Sequence, residues 1–408
     1  SSFLYAQNYG NEWIDYEKQY FKIHVSQDGI YKITYSQLLA AGIPVNVIDP
    51  RGIQLFYKGE EQYIYIHGEG SSGIFDPSGY IEFYGIRNRG DQDEAFFDEN
   101  SNRVNNDYSF YNDTSAYFIT WDFSTGNRRL TPINQTDYAP YIANAQAYCL
   151  KNIRKNYTST YYPASTRALY TQSEGWFDNL TITETSPVTK TIVIPEIYST
   201  SQNSKIEIAA VGAPASYPTS NVPHRLKVDF LGQTRIDETY YGYDFVRETI
   251  NIPANQLSSS IQFTFTANDA TQPDVNDRNA VSYIDITYPY TWSFETTDYF
   301  EFTLPVNTST TKDYLEISGF NAGSTVYLYD LTNHERIVVN NVSGVLKALV
   351  NHTDTERKMV IINQSGDKAV DRISKISPNN KFTDEGTEKQ KADYRIVTHN
   401  RGRSGAQQ

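Results

Sequence analysis

The sequence predicts a mainly β protein: several antiparallel β-domains in series, with a β-rich N-terminal domain, a β-sandwich or jelly roll, and a small Ig-like module. Three observations carry this expectation. The 408 residues include 34 Tyr and 20 Phe against one Met and one Cys, and aromatic and β-branched residues suit a pleated, half-buried surface. Runs that alternate apolar and polar residues recur along most of the chain. Clusters of Gly, Pro, Asn and Ser separate those runs at the spacing of a sandwich.

The elements follow in order. Residues 1–7, SSFLYAQ, read as a tail or the remnant of a secretory signal, because Leu4-Tyr5-Ala6 before Gln7 resembles the small-residue end of such a peptide. An N-terminal β-rich domain is expected over 8–125. In it DYEKQYFKIHV and IYKITY flank Gln27-Asp28-Gly29, a hairpin signature. SQLLAAGI predicts one short helix with Ser36 as N-cap and Gly42 as its stop. IQLFYKGEEQYIYIHGE predicts a second hairpin turning at Lys58-Gly59-Glu60. The turn Asp76-Pro77-Ser78-Gly79 then leads into a strand with Tyr80, Glu82 and Tyr84 on one face and Ile81 and Phe83 on the other. AYFITWDF closes this domain. Residues 126–186 form a mixed connection, in which AQAYCLKNIRKNY fits a short helix or an extended arm equally well. Seven strand-like runs over 187–306 predict the sandwich, and five more over 307–373 the Ig-like module. Residues 374–391 are polar and charged, the composition of a linker, and ADYRIVTH opens something new in 392–408.

Charge excludes some functions. A net charge of −13 and a pI near 5.0 argue against nucleic acid, whose binders present a basic face, and against a polybasic membrane anchor. No run reaches the length of a transmembrane helix. Cys149 has no partner for a disulfide or a structural zinc site. Set among Ala, Tyr and Leu, it reads as a small buried hydrophobe rather than a nucleophile. His24, His67, His224, His334, His352 and His399 are scattered, and no metalloprotease, serine-hydrolase or phosphate-loop motif is present.

Two acidic stretches are calcium candidates, since Ca²⁺ is held by several hard oxygen ligands. The first is Asp91, Asp93 and Glu94, followed by Asp98 and Glu99; the second is Asp269, Asp274 and Asp277. Both also read as solvated acidic loops. FDPSG supplies a single carboxylate, too few for a site. Tyr240, Tyr241 and Tyr243 suggest an aromatic platform for a sugar ring, although strand aromatics mostly fill sheet faces. That platform is the basis of the alternative reading, a surface adhesin or carbohydrate-binding protein without enzyme activity. Sequons at Asn112, Asn156, Asn179, Asn307 and Asn351 arise readily in such a composition and carry little.

WIDYEKQYFKIHVSQDGIYKITYSQLLAAGIPVNVIDPRGIQLFYKGEEQYIYIHGE, followed by FDPSGYIEFYG, resembles the N-terminal region of PorU-like proteins, the gingipain-type cysteine peptidases that act as sortases of the type IX secretion system in Bacteroidetes. Ser78-Gly79 stands where that family usually has Gly-Asp. NAVSYIDITYP is similar to the family's middle domain. ADYRIVTH resembles the first strand of its α/β caspase-like catalytic domain. The resemblance implies the non-catalytic front of an exported cysteine endopeptidase, at the cell surface, the outer membrane or outside the cell. It also implies a parent that cleaves C-terminal sorting signals. The partners implied are its own C-terminal catalytic domain, other outer-membrane proteins of the secretion system, and secreted substrates. The family's His/Cys pair lies beyond the first catalytic strand, so neither Cys149 nor His399 matches it.

Overall fold

The structure is a computed structural model that describes residues 10–384, apart from 71–72, 98–102, 124–125, 163–169, 171–173, 180–181, 184–185, 213–222, 243, 268–276 and 308–310. The chain is mainly β. Among the described residues the strands form five sheets, and nearly all pairings are antiparallel. The expected start of a catalytic domain at 392–408, and residues 1–7, lie outside the described residues.

Two sheets build the N-terminal part around one core. The five-stranded sheet runs Arg372–Lys375, Phe21–Val25, Ser115–Trp121, Ile53–Tyr57, Glu60–Glu61, and the four-stranded sheet runs Lys368–Ala369, Gly29–Thr34, Tyr80–Gly85, Ile64–His67. Phe21, Ile23 and Val25 from the first meet Tyr31, Ile33, Ile81 and Phe83 from the second. The strands around Gln27-Asp28-Gly29 therefore form no hairpin: the corner passes the chain from one sheet to the other. Side chains fix it. Asp28 accepts bonds from the Arg87 amide at 2.8 Å and from the Arg89 guanidinium. Gly29 has φ of +150°, with the Lys368 side chain 2.5 Å from where a Cβ would stand.

The second hairpin does form, but it is short. Tyr57 pairs with Glu60 across Lys58 and Gly59, at φ of 50° and 86°, the positive values a primed two-residue turn requires. The next strand, Ile64–His67, leaves for the opposite sheet. The predicted helix is Tyr35–Ala40, and its N-cap is Thr34 rather than Ser36: Thr34 accepts from the Gln37 amide while the Gln37 side chain accepts from the Thr34 amide.

Beyond residue 126 the sheets cross the boundaries expected at 187, 307 and 373. The large sheet starts with Phe245–Pro253, Asn203–Gly212, Asn279–Tyr290 and Cys149–Asn156, and continues through Tyr299–Leu304 and Arg357–Asn363 into Val326–Asp330, Glu335–Val342, Val345–Asn351 and Lys312–Ile317. The segment compatible with helix or arm is thus a strand. Cys149–Asn156 pairs along Asn279–Tyr290 and touches Tyr299–Leu304 through Leu150 and Thr303, so it joins the expected sandwich to the expected Ig-like module. A separate four-stranded sheet, Val188–Val193, Ser260–Ala267, Pro223–Phe230, Gln233–Tyr241, packs its Phe263, Phe265 and Val228 into the same core as Ile208, Ile284 and Ile286 of the large sheet. The last two strands return to pair with Gly29–Thr34 and Phe21–Val25.

Candidate functional site

The strand after FDPSG is where the N-terminal sheets meet the large sheet. Asp76 spends its carboxylate on its own turn: Oδ1 accepts from the Ser78 amide and hydroxyl, each at 2.7 Å, and the Gly79 amide donates to the Asp76 carbonyl at 2.8 Å. Those bonds from Ser78 hold the Asp76 carboxyl below the usual carboxylate range. Ile81 and Phe83 fill the N-terminal core, and the opposite face abuts the large sheet. There Glu82, 2% exposed, accepts from Arg336 Nε at 2.8 Å and from the Tyr329 hydroxyl at 2.7 Å. The Arg336 guanidinium lies 3.4 Å from the Tyr327 ring centroid and 4.0 Å from that of Tyr65.

Tyr84 continues the contact. Its hydroxyl donates to Glu301 at 2.9 Å and accepts from Lys358 Nζ at 2.7 Å. Around these groups, Ile30, Leu130, Val360 and Ile362 form an apolar cluster with Tyr63, Tyr65, Tyr84, Tyr299 and Tyr327 packed against it. Six tyrosines gather at this seam, and the hydroxyls of Tyr84, Tyr299 and Tyr329 each bond a carboxylate there.

The first calcium candidate is not gathered around a common point. Asp91, Asp93 and Glu94 lie in the 3-10 turn Asp91–Phe96. Asp91 pairs with Lys58, while buried Asp93 accepts from the Phe110 amide at 2.9 Å. The guanidinium of buried Arg103 bonds the carbonyls of Arg89, Gly90 and Tyr108 beside them, and burial pushes its pKa down. Asp91 and Asp93 are thus met by the protein's own cation and amide. Among the described residues no group of three His, Cys, Asp or Glu could hold a metal ion; Asp98 and Glu99 lie outside them.

The second candidate resolves differently. Asp269 and Asp274 lie outside the described residues, and Asp277 is buried against His224. Asp277 Oδ1 lies 2.6 Å from His224 Nδ1, and the Gly242 carbonyl lies 2.9 Å from Nε2. The Arg225 amide and the Asn279 side chain also donate to Asp277, and Tyr240 donates to Asn279. Gly212 lies against this imidazole, which would stand 2.5 Å from an added Cβ. Although His224 and Asp277 look like a catalytic dyad, both ring nitrogens are engaged and both side chains are fully buried. No nitrogen is left for a substrate. Sequence reasoning had no signal for this pair, because its members are 53 residues apart.

Cys149 is fully buried in the large core, its Sγ facing the Tyr290 carbonyl at 3.8 Å. Burial pushes its thiol pKa far up, the opposite of what a nucleophile requires. Tyr240 and Tyr241 occupy successive strand positions, the first 6% and the second 57% exposed, so they face opposite ways and share no platform. Tyr243 lies outside the described residues. An open recess of about 490 Å³ does lie beside the turn at Leu231-Gly232, lined by Asp229, Gln233, Gln262 and Thr264. Missed by sequence reasoning, it combines side chains from three strands and a turn.

No protein-family model and no curated protein matches the sequence. Among solved structures, the fold is similar to dimeric latent PorU from Porphyromonas gingivalis, with a TM-score of 0.54 at 12% identity, covering 89% of this chain and 33% of that one. The chain thus spans about a third of that neighbour's length, and the likeness is one of fold. Lesser likenesses include the CBM36-1 domain of a multidomain xylanase from the hindgut metagenome of Trinervitermes trinervoides (TM-score 0.20, 14% identity, 34% of this chain and 95% of that one). Another is a family 35 carbohydrate-binding module from Clostridium thermocellum (TM-score 0.19, 11% identity, 36% and 95%).

Proposed function

We propose that this chain is the non-catalytic front of a gingipain-type cysteine endopeptidase, either a type IX secretion system sortase of the PorU kind or a secreted paralogue. In this reading it holds and orients the catalytic domain of an exported parent that cleaves C-terminal sorting signals at the cell surface. The observation that carries the proposal is the fold likeness to PorU over 89% of the chain, in the region where the sequence motifs also resemble that family. The chemistry agrees with it, since the sole thiol is a core residue and His224 is sealed by its partners. The test is peptidase activity of the purified chain on Arg- and Lys-containing peptides and on sorting-signal peptides. No turnover is expected; turnover abolished by Cys149→Ala overturns the reading.

A second reading, glycan binding, rests on the polar recess lined by Asp229, Gln233, Gln262 and Thr264, whose amide, hydroxyl and carboxylate groups suit sugar hydroxyls. Calorimetry against soluble oligosaccharides tests it, with saturable binding lost in Gln262→Ala as the supporting result and no heat for any of them as the refuting one.

A further inference from the structure

The chain leaves the large sheet after Arg357–Asn363 and enters the N-terminal four-stranded sheet at Lys368–Ala369, which pairs in parallel with Tyr31 and Lys32. Asp367 stands at this crossover. The approach is close-packed: the Asp298 carbonyl would lie 2.3 Å from a Cβ on Gly366, and the Asn363 side chain bonds Asp298, Asn321, Ser365 and Gly366.

Its surroundings are charged from three strands. Lys32 Nζ from Gly29–Thr34 approaches Oδ2 at 3.6 Å, longer than a hydrogen bond, and also sits 3.9 Å from the Tyr80 ring centroid. Glu82 from Tyr80–Gly85 adds a like charge, and Arg336 from Glu335–Val342 an opposite one. Asp367 Oδ1 is shielded from solvent without a hydrogen-bond partner, and so is one Arg336 guanidinium nitrogen. An ionised carboxyl with one orphaned oxygen beside a second carboxylate is costlier here than a neutral one, even with Lys32 and Arg336 nearby.

We propose that Asp367, together with Lys32, Glu82 and Arg336, forms an acid-tightened clasp that closes the crossover between the N-terminal sheets and the large sheet more firmly when Asp367 takes up a proton. Burial first, and then the Glu82 charge, raise the Asp367 pKa from 3.8 to about 6. The sign follows: an acid whose folded-state pKa is raised stabilises fully below its unfolded value, and that stabilisation is lost as pH rises through the folded value. The working window is therefore about pH 4 to 6. The clasp is independent of the peptidase reading.

The test is backbone hydrogen exchange at Gly29–Thr34 and Lys368–Ala369, corrected for intrinsic rates, on the full chain and on Asp367→Asn between pH 5 and 7. In the parent, the opening equilibrium of these strands should be roughly tenfold less favourable at pH 5 than at pH 7. Asp367→Asn, nearly the same shape and always neutral, should hold the acid-like protection at both values. A variant with the parent's pH slope overturns the clasp. Should the variant fail to fold, carbon NMR of the Asp367 carboxyl in the parent decides: titration near pH 6 supports the proposal, and titration below about 4.5 overturns it.

Discussion

Replacing Arg336 by Met tests whether the Glu82 seam holds the N-terminal sheets to the large sheet. Met keeps much of the apolar stem but removes the guanidinium, leaving the Glu82 carboxylate 2% exposed with the Tyr329 hydroxyl still donating. Breaking a buried ion pair from one side costs about 3–5 kcal/mol. Losing the cation–π contacts to Tyr327 and Tyr65, at 3.4 and 4.0 Å, adds about 1 kcal/mol each. The total, about 5–7 kcal/mol, is a large part of an ordinary domain's stability of about 5–15 kcal/mol. Glu82→Leu alone should cost less than Arg336→Met but still several kcal/mol, because it strands the guanidinium instead. The double variant removes both charges and should recover most of the loss, since an apolar pair of similar volume is often neutral in such a site. Urea unfolding, followed by fluorescence and by hydrogen exchange at Tyr80–Gly85 and Glu335–Val342, measures all three variants. A cost below about 1 kcal/mol for Arg336→Met, or losses that simply add in the double variant, would refute the reasoning.

The remaining expectations are simpler. Native Cys149 should resist thiol reagents at neutral pH and react stoichiometrically once the protein is unfolded in urea; rapid labelling of the native protein counts against its place in the core. Gly52→Ala should destabilise by about 1–3 kcal/mol or more, because the new Cβ would stand 2.1 Å from the Asp122 carbonyl, a backbone atom that cannot step aside; an unchanged melting midpoint would contradict that geometry. Thr34→Ala should cost about 1 kcal/mol through the lost capping box, whereas Ser36→Ala should cost only a few tenths. Chemical denaturation of the two variants side by side separates these caps.

Strand existence was legible because alternation is local. Phe21, Ile23 and Val25, or Ile206 and Ile208, announce a buried face within a few residues. The turns at Lys58-Gly59 and Asp76–Gly79 were legible for the same reason: positive φ and Asx bonding are demanded by adjacent residues. Partner choice was not legible. The Asp28-Gly29 corner carries a hairpin's composition, yet its flanking strands join different sheets, because Asp28 is claimed by Arg87 and Arg89 some 60 residues away. Cys149–Asn156 hid its type as well. Its burial alternates weakly, since pairing on both sides rather than a clean apolar face makes it a strand.

The candidate sites divide the same way. Asp91, Asp93 and Glu94 look like ligands when only their spacing is considered, but Lys58 pairs with Asp91 and the Phe110 amide donates to Asp93, while the Arg103 guanidinium beside them is bonded to backbone carbonyls. Asp277 is held by His224, 53 residues away in the chain. Glu82 passed in sequence for one polar position on a two-faced strand, and only the arrival of Arg336, 254 residues later, makes it the charged centre of the seam. By itself the sequence determined the β class, most strand positions and the turns, because backbone propensity and side-chain alternation act over a few residues. Tertiary structure decided which strands share a sheet, where the units join, and which acids are free or spoken for. Those outcomes depend on desolvation and charge pairing between groups that no local pattern brings together.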